Sequence, residues 1–103
     1  MNGPDAQDDA LLRAKINLET AQIPWRDLQT HFAAGNVLQV GSDIDLVEVA
    51  FQMSKDNRKQ VTLWMATGEL QQVPDSQAQA WYDDEAQLWA VVVRPFVLVQ
   101  QRD

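Results

Sequence analysis

Apolar positions follow a helical rhythm through most of the chain and close into a continuous β-like run near its end. Asp8 or Asp9 caps a predicted helix running to about Gln22, with Leu12, Ile16 and either Glu19 or Ile23 at four-residue spacing. Pro24 breaks it and suits the first turn of a second helix, Trp25 to Ala34, whose Trp25, Leu28 and Phe32 share one face. Gly35 stops that helix, and Val37 to Val40 reads as a short strand. Gly41-Ser42-Asp43 offers a turn and an N-cap for a third helix, Ile44 to Ser54, burying Ile44, Val47, Ala50 and Phe51. A polar turn, Lys55 to Lys59, leads to a fourth helix from about Arg58 to Thr67, presenting Val61, Trp64 and Met65. Gly68 stops it, Leu70 to Val73 is the matching strand, and Pro74-Asp75 opens a fifth helix carrying Ala78, Trp81 and Tyr82.

The segment "LWAVVVRPFVLVQ" is too continuously apolar for a strand with one wet face, so it reads as central strands. Pro95 cannot donate to a ladder and is placed at the turn between Leu88–Val93 and Phe96–Gln100. These elements predict an α+β domain of about five helices around a three- to four-stranded sheet over residues 9–103, preceded by a disordered tail over 1–8. The stop-and-restart pattern occurs twice, at Gly35 and at Gly68, 33 positions apart, which suggests an internal helix–strand–helix duplication.

Composition narrows the chemistry. The absence of cysteine excludes disulfides, thiolate-bound zinc, iron–sulfur clusters and thiol catalysis. No apolar run is long enough to cross a membrane, and the N-terminus lacks the layout of a signal peptide, so a soluble cytoplasmic protein is expected. Fifteen acidic against eight basic residues give a net charge of −7, a field that repels nucleic acid unless the cations gather on one face.

The strings "LLRAKINLETAQIPWRDLQTHFAAG", "DIDLVEVA" and "LWAVVVRPFVLVQ" resemble the bacterial family called domain of unknown function 2288, over about Ala10 to Gln100. That resemblance implies a small bacterial protein and carries over no catalytic residues. Within it, "DLVEVAFQMSKDNRKQVTLWMATGELQQV" resembles a helix-turn-helix leading into a strand, as in a winged helix. The turn has no Gly, and the fifth helix interrupts the place of the wing.

Candidate sites divide by class. Lys55, Arg58 and Lys59 cluster within five positions, and Gln60 and Thr62 follow where a recognition helix reads bases; together they form the DNA-contact alternative. It requires Arg13, Lys15 and Arg26 to gather beside them. Asp43, Asp45 and Glu48 have cation-site spacing but read more simply as helix-cap and first-turn acids. His31 is the single histidine, which leaves no His-paired triad or two-His metal site, and it sits where an imidazolium meets a helix C-terminus. Asp83, Asp84 and Glu85 read as a solvated acidic loop. No catalytic residue, metal ligand or cofactor is assigned, and the chain is not expected to be an enzyme. The leading expectation is a non-catalytic module acting through a protein contact or through its own copy as a homodimer, with Trp81, Tyr82 and Arg94 at the contact. Arg94 is placed at the turn beside Pro95.

Overall fold

A computed structural model describes residues 4–102 of the chain. Its centre is the C-terminal hairpin that the apolar run predicts: β4 (Gln87–Val93) pairs antiparallel with β5 (Phe96–Gln100) around a turn at Arg94-Pro95, whose peptide bond is cis. Outside β5 lies β2 (Val37–Val40), parallel to it, and then β3 (Leu70–Gln72), antiparallel to β2. Outside β4 lies β1 (Ala21–Pro24), giving a five-stranded sheet of order β1-β4-β5-β2-β3. The class is α+β, with one strand more than the pattern predicts.

Helices cover both faces of the sheet, which explains the unbroken apolar run of β4 and β5. On one face, α1 (Pro4–Glu19), α3 (Leu46–Ser54) and α4 (Arg58–Thr67) pack over Leu38, Val40, Leu70, Val91 and Leu98. On the other, a 3-10 turn (Trp25–Leu28), α2 (Gln29–Ala33) and α5 (Asp75–Asp83) pack over Val37, Leu88, Ala90, Val97 and Val99. Alternate residues of each central strand feed alternate cores, except that Val92, near the β4–β5 turn, stands 59% exposed. Gln100 is 2% exposed, yet its Nε2 donates to Gly41 O at 2.8 Å and Ile44 O at 2.7 Å, pinning the end of β5 to the loop before α3.

Several boundaries differ from the sequence reading. The helix predicted from Asp8 or Asp9 to Gln22 starts at Pro4 and ends at Glu19. Of the tail expected over 1–8, residues 1–3 lie outside the described residues and Pro4–Asp8 belong to α1. Ala21–Pro24, read as the end of that helix to about Gln22 and the break at Pro24, is β1: a residue before proline is pushed to extended φ/ψ, and Ile23 finds Leu88 opposite it. The second helix is split into the 3-10 turn and α2. Asp45, not the Gly41-Ser42-Asp43 turn, caps α3, accepting from Val47 N at 3.1 Å. The buried set is therefore Leu46, Val49, Ala50 and Phe51, with Ile44 and Val47 half-buried. Both predicted stops are left-handed glycines, Gly35 at φ 77° and Gly68 at φ 82°.

Candidate interaction surface

The α3–α4 turn is held by a chain of polar contacts. Asn57 caps α4 through Oδ1, which accepts from Gln60 N at 3.3 Å, and its Nδ2 donates to Gln52 Oε1 at 2.8 Å. Gln52 Nε2 donates to Glu48 Oε1 at 2.9 Å. Glu48 in turn accepts from Arg13 Nε at 3.0 Å and Nη2 at 3.2 Å, while the guanidinium stacks 3.9 Å from the centre of the Phe51 ring. The hydrogen bond from Arg13, supported by that from Gln52, holds the Glu48 carboxyl below its ordinary range, and Glu48 raises the Arg13 guanidinium further. Asp56 supplies the left-handed residue of the turn, at φ 56°, in place of the missing glycine.

From this fixed start, α4 runs along the sheet with none of its ten residues fully buried. Val61 and Trp64 pack half-buried on the core, while Leu63 and Met65 stand 55% and 48% exposed. A cleft of about 380 Å³ opens between the start of α4 and the β4–β5 turn, with Met53, Val61, Val93 and Phe96 as apolar lining and Arg58 and Arg94 among its polar residues. The outer flank of α4 borders a second recess, of about 410 Å³, with Lys59, Gln60, Leu63 and Ala66 along it.

The residues predicted as one protein contact do not come together. Trp81 is buried, at 2% exposure, because Ala78 and Trp81 form the inward stripe of α5, which corrects the expectation of an exposed Trp81-Tyr82 pair. Its ring packs edge-on against Trp25, with centroids 5.2 Å apart, and its Nε1 donates to Gln101 Oε1 at 3.1 Å. Tyr82 is exposed, but the Arg26 guanidinium lies 4.5 Å from its ring centre and is itself bound to Glu85 at 3.2 Å. Arg94 is on the cleft with Arg58, among the described residues without an ion pair.

The predicted DNA-contact set stays together on α4 and its turn, with two of its charges engaged. Lys55 pairs with Asp9 at 3.0 Å, and Arg58 meets Asp56 at 3.4 Å. Thr62 borders both recesses, Gln60 is half-buried, and Lys59 is exposed. Two of the three cations expected to gather there are committed elsewhere: Arg13 is held by Glu48, and Arg26 lies with the opposite core, beside Tyr82. Of the acids with cation-site spacing, Asp45 caps and Glu48 pairs. Among the described residues no group of three or more His, Asp or Glu side chains is placed to hold a metal. His31 is exposed in the last turn of α2.

Sequence reasoning missed Leu63 as an exposed residue and Met53, Val93 and Phe96 as lining of the cleft. For Leu63 the signal was present, since at 100° per residue it points away from the stripe of Val61 and Trp64. For the other three there was none, because their neighbourhood depends on tertiary contact.

Comparison with known proteins fixes the lineage. The model of the family described as "Protein of unknown function (DUF2288)" matches residues 11–101. The chain belongs to this family. A solved relative, the NMR solution structure of PA1075 from Pseudomonas aeruginosa, is similar at 43% identity and a TM-score of 0.79. The match covers 90% of this chain and 86% of that one. No curated protein matches the chain. Among the described residues of this DUF2288 member, no helix is long and apolar enough to cross a membrane.

Proposed function

We propose that this DUF2288 protein is a non-catalytic, cytoplasmic module that works by protein contact, and that the contact is made by α4 with the adjoining β4–β5 turn. The observation that carries the reading is α4 itself. It is a ten-residue helix with no fully buried side chain, anchored by a polar chain at its start; it bears exposed Met65 and, on the outer recess, exposed Leu63, and its first turns border an apolar-lined cleft. Exposed apolar groups rimmed by polar ones are what a recognition surface requires. A second copy of the chain is one candidate partner, as the sequence reading anticipates for a homodimer.

A photo-reactive residue placed at Leu63 tests this in cells, with the same residue at Gln22 of β1 as the comparison. The expected result is a discrete protein adduct from position 63 and none from position 22; an adduct of twice the chain mass identifies self-association. Equal yields from both positions, or no adduct from 63, contradict the reading.

The DNA-contact alternative, through Lys55, Arg58, Lys59, Gln60 and Thr62, draws some support from Arg94 and Arg58 lining one cleft. Against it stand the net charge of −7 and the engagement of Lys55 and Arg13 by carboxylates. Fluorescence anisotropy with mixed-sequence duplex DNA decides it: binding at about 50 mM salt that collapses by about 200 mM favours DNA, and none at the lower salt removes it.

A further inference from the structure

Uncommitted positive charge is scarce in this protein, which has eight basic residues against fifteen acidic ones. Three of its five arginines are satisfied internally. Arg13 is held by Glu48 and Phe51, and Arg26 by Glu85 and Tyr82. Arg102 donates to Gln100 Oε1 at 2.8 Å and lies 5.3 Å from the Trp89 ring centre. The other two, Arg58 and Arg94, come from distant parts of the chain and meet at one cleft. Arg94 has no ion pair among the described residues, and the Arg58 side chain is 86% exposed with only Asp56 at 3.4 Å.

Arg58 is the first residue of α4, where a cation opposes the helix dipole. The α4 amides are not what the cleft offers, because Asn57 already caps them. Met53, Val61, Val93 and Phe96 line the cleft with the two arginines, and Asp56, Asn57 and Thr62 complete the lining. A guanidinium prefers a carboxylate, which it grips with two parallel hydrogen bonds. The apolar lining asks in addition for an aromatic or aliphatic side chain next to the carboxylate. At about 380 Å³ the cleft is near the low end of ligand-site volumes, about 300–1,000 Å³, and suits one anchoring side chain.

We propose that the Arg58–Arg94 cleft binds an acidic peptide segment of a partner protein, with an aromatic or aliphatic anchor seated on Met53, Val61, Val93 and Phe96 between Asp or Glu side chains. This assignment rests on the reading of α4 as a protein-contact face and gives that face its partner chemistry.

The test is a nitrogen-15 NMR titration of the full chain with the acetylated peptide Glu-Asp-Phe-Glu-Glu-Leu-Asp-Glu. The controls are the same peptide with Phe and Leu replaced by Ser, and a mixed-sequence DNA duplex. Shifts are expected at residues 53–62 and 93–96, weakened at least tenfold in R58E/R94E and unchanged in R26E on the opposite face. If the charge-reversed double variant fails to fold, R58Q/R94Q serves instead, with a loss of about threefold or more expected. Absence of shifts at millimolar peptide, equal binding of the Ser peptide, indifference to both double variants, or shifts produced only by DNA each overturn the proposal. A discrete adduct from position 63 with no peptide shifts leaves the contact face standing and removes the acidic segment; failure of both removes both.

Discussion

Gly68 shows how a single residue carries sequence information into structure. Its φ of 82° ends α4 and turns the chain into β3, and a Cβ built there meets no atom within 4 Å. Gly68→Ala is therefore a pure backbone test: we expect a loss of about 1–2 kcal/mol in chemical denaturation, the cost of a left-handed alanine. That stop was legible because only backbone sterics decide it. Glu48 makes the complementary electrostatic case. Its folded-state carboxyl is lowered by Arg13 and Gln52, so the contribution to stability is present above the unfolded-state value and is lost as pH falls through the folded one. Glu48→Gln should lower stability at neutral pH, with the gap to wild type closing as acidification passes through the folded-state value of Glu48; a gap independent of pH would show that packing, not charge, is responsible. The Arg13–Glu48 pair was illegible, since it links positions 35 apart through helix packing.

At the scale of elements, legibility followed the strength of the local signal. Strands β4 and β5, the strand β2 and the helix α4 lie where the pattern placed them, because continuous β-branched runs and capped helical stripes each have one dominant solution. The strand β1 was lost because helical spacing continues through Ile23, and only its pairing with β4 in the tertiary fold overrides that spacing. The order α3, turn, α4, β3 of a helix-turn-helix is present, set against a five-stranded sheet with helices on both faces. The inward stripe of α5 gives a sharp prediction. Trp81→Ala should cost about 3–5 kcal/mol, as for other buried aromatics, whereas Leu63→Ala on α4 should change stability by less than about 0.5 kcal/mol. Parallel denaturant titrations compare the two, and a large loss at Leu63 would mean that this side chain serves the fold.

For the whole molecule, the sheet separates two cores. One core is roofed by α5 and the 3-10 turn and holds Trp25 and Trp81. The other ends at α4, where roofing is incomplete and the β4–β5 turn meets the helix. The candidate site was only half legible for that reason. Arg58, Thr62 and Arg94 were each singled out as residues, but assigned to different activities, because nothing local in the sequence brings position 94 to position 58. The central claim is that this face meets a protein. Nitrogen-15 spectra of the labelled chain, recorded in buffer and in clarified extract of its native cells, test it most directly. We predict line broadening confined to residues 53–66 and 93–96; broadening centred on α1, β1 or α5, or spectra that are the same in both media, would contradict the account.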